Sequence, residues 1–456
     1  MTEDKELGRV LEIHDALRGV TQLWVRSEDW DEEEAQRLRE EAVLLNHKRY
    51  FRSVAAYRSL AEDAGMDEDV TDVEVIKADL MFATDIFKSY DPALIDNAEW
   101  QQMTEWLDRM YHKNNKPEDN LFRGVTTNPP LSFNAIKDNP EYWAKWIDER
   151  IKKDRCTDSE VVFWDTYKEI VKRGAETYRP MFEASRYKFG YISGQTDPRV
   201  REDADKMFAQ GVEIHSIAPN VMVKVPGTAE GYEVIRRLTA KGIPTNNTLS
   251  FIIPQFKACM QAVTEGLKEA KAKGVDLTRW RSVITAMSAR FGTLGDLQKD
   301  AQKRNISVSE MDERWAEIAV FKKACKLVKE NKEYQGKMLL CSMRMSPIIN
   351  GDVRSWHVEK VAGADIVYTC PPPYIEGLLF KGNHLEFSNQ IWEPVPKDVM
   401  DKLMRIPYFE RGYADDGYTL KEFNTHPALL ATAKEFSGAT QGMVDFVAKR
   451  VAAFCG

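Results

Sequence analysis

The stretch Asn220 to Thr228 reads NVMVKVPGT and sets a lysine inside an apolar run. An ammonium is among the last groups a folding chain buries. In a strand the side chains alternate, so Val221, Val223 and Val225 share one face and Met222 and Lys224 the other. Two readings of Lys224 stand open. On an antiparallel sheet its face is wet and the lysine is a solvated surface residue. In a closed parallel barrel its face is the interior. The amine then loses solvation, its pKa falls, and the neutral form can attack a carbonyl to make a Schiff base.

Other short runs end in groups of complementary chemistry. GVTTNPP (124–130) closes on Thr126 and Asn128. TNNTLS (245–250) puts Asn246 and Thr248 on one face. YISGQTDPR carries Gln195 and Asp197, while ITAMSAR and LLCSMR carry Arg290 and Arg344 near Thr285 and Ser342. A single arginine reads as a surface or salt-bridge residue, and a single Asn or Thr at a strand end reads as turn chemistry. Together on one rim, the two arginines favour an anionic ligand such as a phosphate.

The elements that must hold these residues alternate along the chain. Eight short strands are expected, at 75–84, 122–127, 191–196, 221–226, 243–251, 282–288, 337–344 and 365–372. Amphipathic helices such as AEGYEVIRRLTAKG lie between them and end at glycine. Strand–helix alternation implies a parallel sheet with right-handed crossovers, and eight units imply a closed (β/α)8 TIM barrel with its active site at the strands' C-terminal ends. Residues 1–70 read as a charged helical extension, 71–385 as the barrel, and 386–456 as C-terminal helices packing on it. Two connections, 130–188 and 291–336, are too long for one helix and read as helical insertions.

Composition agrees with an ordinary globular protein. The 456 residues are 43% apolar and 30% charged, enough for a sizeable core. A net charge of -8 disfavours nonspecific nucleic-acid binding. No run of about 18 apolar residues suggests a membrane helix, and the charged start MTEDKELGRV has no apolar stretch of a secretory signal. The six cysteines are scattered without a Cys-x-x-Cys pair, which suggests reduced thiols in the cytoplasm. The seven histidines are isolated too, with no metal-ligand spacing.

Over residues 75 to 380, in order, the chain resembles the transaldolase family. GVTTNPPLS resembles that family's strand-two motif, usually GVTTNPSL. VMVKVPGTAEGYEVIRRLTAKGIPTNNTLSF resembles the Schiff-base lysine segment and the Asn-x-Thr strand after it. VITAMSARF and LLCSMRM resemble the two arginine-bearing phosphate strands. The resemblance implies that Lys224 attacks the C2 carbonyl of a ketose phosphate, that the C3–C4 bond breaks, and that a dihydroxyacetone unit is passed to an aldose phosphate, chemistry of the pentose phosphate pathway. It implies no metal or organic cofactor. Thr126, Asn128, Asn246 and Thr248 would bind the dihydroxyacetone unit or order a catalytic water, and Thr285, Arg290, Ser342 and Arg344 would bind the phosphate. The base for the C4 hydroxyl would be Asp85 in MFATDIFKSY, with Asp79 as competitor and a helix N-cap as the plain alternative for Asp85.

The match departs from the family at two positions. Strand three usually carries a glutamate, and Gln195 stands in its place. Glutamine can hold a water but cannot exchange a proton with it at neutral pH. The fructose 6-phosphate aldolase branch also has glutamine there, paired with a tyrosine on strand six, whose position here is Met287. Three readings follow: a transaldolase with an altered proton relay, an aldolase or transaldolase-like enzyme for an unusual sugar phosphate, and a sugar-phosphate-binding protein with little turnover. A fourth makes the chain an interaction protein built on residues 1–70.

Overall fold

A computed structural model describes residues 3–20, 32–53, 57–58, 61–62, 65–73, 76, 111, 114–155, 157–381 and 385–455. The chain divides into two compact units, 1–107 and 108–456. In the first, helices Glu3–Val20 and Glu32–Ser53 pack together, joined by Arg9–Glu41 at 2.7 Å and Arg52–Glu6 at 2.9 Å. Tyr50, Tyr57, Ala61, Met66 and Ile76 form a small core beside them. The strand expected at 75–84 lies, but for Ile76, outside the described residues.

The second unit holds a seven-stranded parallel sheet. Its strands are β1 (Gly124–Thr126), β2 (Tyr191–Gln195), β3 (Val221–Pro226), β4 (Thr245–Ser250), β5 (Ser282–Met287), β6 (Lys337–Cys341) and β9 (Val367–Tyr368). Each falls inside one of the seven remaining expected runs, and each pairs with the next in sequence order. Helices cross over between them, the pattern a parallel sheet requires. An antiparallel hairpin of β7 (Ile348–Ile349) and β8 (Asp352–Val353), which sequence reasoning missed, sits between β6 and β9. The sheet is curled. Thr126 in its first strand and Thr369 just past its last bring their hydroxyls within 3.3 Å.

The two faces of the sheet differ as the alternation around Lys224 predicts. Val221, Val223 and Val225 are buried on the helix side, where Val223 meets Gly211 of helix Ala204–Ser216. Gly194 of β2 faces the same way, toward Ile214 and Val171. The other face is the concave side and carries the polar residues. The entry to β3 is fixed by Asn220, whose buried amide donates to Ala175 O at 2.8 Å and Gly190 O at 2.9 Å. Its exit is fixed by Thr228, which caps helix Ala229–Thr239 by accepting from Gly231 N at 3.0 Å and donates to Arg201 O.

The long insertions are helical: Pro129–Asp138, Pro140–Asp154 and Ser159–Ala184 in the first, Ser288–Leu294, Leu297–Lys303 and Glu310–Glu330 in the second. The C-terminal helix Pro427–Cys455 packs on the first group, with Arg450 bound to Asp148.

Helix Ala229–Thr239 approaches the end of β3 so closely that a Cβ on Gly231 would lie 1.9 Å from Pro226 O. Backbone on both sides leaves nothing flexible to yield. Gly231→Ala is therefore expected to destabilise the fold by about 1–3 kcal/mol. A denaturant midpoint that falls at unchanged m-value would bear this out, and an unchanged midpoint would contradict it.

Candidate active site

Strand register decides which side chains share the concave face. Lys224 stands opposite Gln195 on one side and Asn246 on the other, and Thr248 stands opposite Pro226. Thr126 pairs with Ser193, Thr285 with Leu339, and Met287 with Cys341. With a period of two, Thr126, Ser193, Gln195, Lys224, Asn246, Thr248, Thr285 and Met287 all point to the same side.

Lys224 is 4% exposed. Among the described residues its one hydrogen bond is to Thr127 O, at 3.2 Å. Burial pushes its pKa down to about 8; the Cys341 thiol pulls it up again and the Arg290 charge pushes it further down. The wet-face reading fails, because the whole strand is buried and both neighbours are parallel. The amine is held ready to lose its proton near neutrality.

Asn246 is oriented from two sides. Its Nδ2 donates to Ser193 Oγ at 2.9 Å, and its Oδ1 accepts from Thr285 Oγ1 at 2.7 Å. Thr285 is thus engaged with Asn246, which stands opposite Lys224 on the neighbouring strand, and is fully buried. Gln195 is held by its backbone: Tyr167 Oη accepts from Gln195 N at 2.6 Å and donates to Gln195 O at 2.9 Å. Its side chain is buried, and Oε1 has no hydrogen-bond partner among the described residues. A buried acceptor without a partner beside an amine is a place for a water. Thr248 is fully buried, with Oγ1 3.9 Å from Met287 Sδ. The register slips between Asn247 and Ser250, and Leu249 takes a left-handed φ of 50°, so Thr248 sits at a bulge.

The rim is built differently. Asn128 caps helix Pro129–Asp138 by accepting from Leu131 N at 2.9 Å, so its carbonyl has a structural task. Arg290, on helix Ser288–Leu294, forms a two-pronged ion pair with Glu435 of the C-terminal helix at 2.5 and 2.9 Å. Ser342 follows β6 with a φ of 59°, and Arg344 is exposed, with Nη2 donating to Thr293 Oγ1 at 3.2 Å. Asp79 and Asp85 lie outside the described residues. Sequence reasoning missed Ser193, Tyr167, Thr369 and Glu435. Ser193 was findable, since it lies two residues before Gln195 on the same face; the others join the site from distant parts of the chain.

This geometry sets the pH at which Lys224 reacts. Its modification by trinitrobenzenesulfonate, read by the mass of the Lys224 peptide, should rise with a midpoint near pH 8. A free lysine would give about 10.4. Gln195→Glu should move that midpoint upward, because a carboxylate opposite the amine favours its charged form. A wild-type midpoint above about pH 10, the free-lysine range, would sink the buried-amine account; an unmoved midpoint in the variant would mean the two side chains do not share one space.

The sequence model of the Transaldolase/Fructose-6-phosphate aldolase family matches residues 93–416. A transaldolase of Saccharopolyspora erythraea is 31% identical over 176 residues, covering 37% of this chain and 46% of that protein. One from Mycolicibacterium smegmatis is 31% identical over 189 residues, covering 41% and 49%. One from Trichodesmium erythraeum is 24% identical over 303 residues, covering 62% and 78%. The chain spans about half the length of the first two of these curated relatives. With the matched segment running through β1 to β9 and the buried lysine among them, the chain belongs to the transaldolase/fructose-6-phosphate aldolase family.

Proposed function

We propose that the protein transfers a dihydroxyacetone unit from a ketose phosphate, fructose 6-phosphate or sedoheptulose 7-phosphate, to an aldose phosphate through a Schiff base on Lys224. The observation that carries this reading is the buried amine of Lys224, with a pKa near 8, among Gln195, Asn246 and Thr248. The neutral amine attacks C2 and gives a carbinolamine, which loses water. Gln195 Oε1 holds that water. The iminium then accepts the electron pair of the C3–C4 bond while a base takes the C4 hydroxyl proton, and the aldose phosphate leaves. Asp85 fills the role of base, with Asp79 as the competitor. Asn246, set by Ser193 and Thr285, meets the hydroxyls of the retained unit together with Thr126, Asn128 and Thr248. Arg290 and Arg344, with Ser342, meet the phosphate. Every step uses side chains, so the reading calls for no metal or cofactor.

Closure of the sheet into an eight-stranded barrel belongs to the same proposal, with residues 75–84 as the remaining strand, the barrel domain running from 71 to 385, and the helices of 386–456 packed upon it. The Thr126–Thr369 contact supports it, since alternate strands of such a barrel contribute to one interior layer.

A second reading rests on Gln195 and Met287. Neither titrates near neutrality: Gln195 stands where one branch of the family has a glutamate and Met287 where the other has a tyrosine, so neither branch's proton-relaying side chain stands at these positions. An aldolase with unusual proton handling would look the same. It would release free dihydroxyacetone with no acceptor present.

Incubation with either ketose phosphate, borohydride reduction and digestion should leave a dihydroxyacetone-sized adduct on the Lys224 peptide. Prior addition of glyceraldehyde 3-phosphate or erythrose 4-phosphate should remove it if the unit is transferred. An adduct of the intact sugar would mean that the lysine works and cleavage is blocked; no adduct with either sugar would defeat the substrate assignment.

Glu435 adds a further expectation. Its carboxylate occupies the face of Arg290 that a phosphate would use. Partly exposed pairs of this kind are worth roughly 0.2–1 kcal/mol. Glu435→Gln should therefore lower KM for the ketose phosphate by up to about fivefold, with kcat unchanged. A raised KM would show that Glu435 orients Arg290 and does not compete for it.

A further inference from the structure

Behind the exposed guanidinium of Arg344 lies a buried ion network that the reaction itself does not use. The peptide of Arg344 is gripped at both ends by side chains. Its N–H donates to His357 Nδ1 at 3.0 Å, and its carbonyl accepts from Ser355 Oγ at 3.3 Å. Because Nδ1 accepts, the ring proton sits on Nε2, which donates to Glu317 Oε2 at 2.8 Å. The other carboxylate oxygen of Glu317 lies 2.8 Å from Arg314 Nη2. Arg314, Glu317 and His357 are each 1% exposed. The Ser355 hydroxyl is tied in turn to Tyr374 Oη at 2.5 Å.

The same carboxylate supports the other arginine's helix. A Cβ on Gly292 would fall 2.3 Å from Glu317 Oε1, so helix Ser288–Leu294, which carries Arg290, rests directly on it. Arg344 reaches across to Thr293 of that helix. A buried pair of this kind costs desolvation and adds little net stability against an apolar replacement. What it does supply is a fixed geometry, here at the two segments that bear the anion-binding side chains.

We propose that His357 is a positioning residue for Arg344. Backed by Glu317 and Arg314, it fixes the Arg344 peptide so that the guanidinium meets the substrate phosphate without a search, while Glu317 holds the Arg290 helix in register with it. The proposal rests on the reading of Arg344 as a phosphate ligand. Immobilising a binding group before the ligand arrives lowers the ordering cost of binding, so the effect falls on affinity for the phosphorylated end and not on the lysine chemistry.

The test compares full-length variants on two readouts: steady-state kinetics with fructose 6-phosphate, and the rate at which borohydride traps dihydroxyacetone, which has no phosphate, on Lys224. Arg344→Met should raise KM and leave trapping unchanged; if KM does not move, the phosphate reading of Arg344 fails and the proposal falls with it. His357→Leu removes the acceptor and should raise KM about tenfold, with kcat and trapping within about twofold of the parent. His357→Asn puts its Oδ1 where Nδ1 stood and should restore most of that loss. Ser355→Ala leaves the ion network whole and should raise KM about two- to threefold, which keeps the test open if the leucine variant does not fold. If Arg344→Met raises KM while His357→Leu and Ser355→Ala do not, positioning is refuted. Equal losses in KM, kcat and trapping for His357→Leu, unrelieved by asparagine, would refute it as well and leave His357 a general structural residue.

Discussion

The structure is organised around the cost of holding an amine in a buried, polar interior. Charging Lys224 there means giving up water for dipoles that are already committed elsewhere: Asn246 to Ser193 and Thr285, and the Gln195 backbone to Tyr167. One carbonyl, Thr127 O, remains in reach among the described residues. A single neutral acceptor does not replace a hydration shell, so the neutral form gains ground. The surrounding groups are hydroxyls and amides, which can steer a polyhydroxylated ligand without pinning the amine in its charged state. A carboxylate at the Gln195 position would work against that balance, which gives the substitution a physical meaning beyond the loss of a proton relay.

The scaffold serves this arrangement through its outer face. Val221, Val223 and Val225 give β3 an apolar back that needs no water, and Gly194 and Gly211 let helices come close to it. Rigid backing lets each inner side chain be set by register alone. The polar chain from Ser193 through Asn246 to Thr285 spans three strands with good hydrogen bonds. A shift of one residue in any of these strands would turn its member of the chain outward, and the same shift in β3 would replace Lys224 by valines in the site.

Much of this was legible in the chain itself. Alternation around Lys224 gave both faces of β3, and the seven described strands of the main sheet lie where short apolar or polar runs stand between helical segments. The polar strand TNNTLS is strand-like only in the company of its neighbours, since its inward side chains serve the site and not the core. The contacts that complete the rim were not legible. Glu435 reaches Arg290 across 145 residues of sequence, and Glu317 reaches His357 across 40. No local pattern encodes such a meeting; it arises when helix Glu310–Glu330 and the C-terminal helix dock. The bulge at Leu249 and the left-handed Ser342 escaped for the same reason, being non-glycine residues in a conformation that tertiary packing imposes. Asn128 shows the opposite case: the plain reading of an asparagine at a strand end is local turn chemistry, and its carbonyl is indeed engaged locally, as a helix cap.

Arg290 on the rim and the lysine are also linked through charge. The guanidinium of Arg290 is among the groups that push the Lys224 pKa down. Whatever offsets that positive charge weakens the push. Glu435 already offsets part of it in the unliganded protein. A phosphate that displaced Glu435 would exchange one anion for another of greater charge, and Lys224 would regain some affinity for a proton as the ligand docked. The gain is modest, because burial is the larger cause of the shift and Arg290 acts as a secondary one. Its direction is still informative. The added negative charge would favour the iminium of the proposed sequence, at a small cost to the neutral amine that must attack first. The carboxylate on Arg290 therefore helps to set how much positive charge faces the lysine, while the buried network behind Arg344 has no such reach.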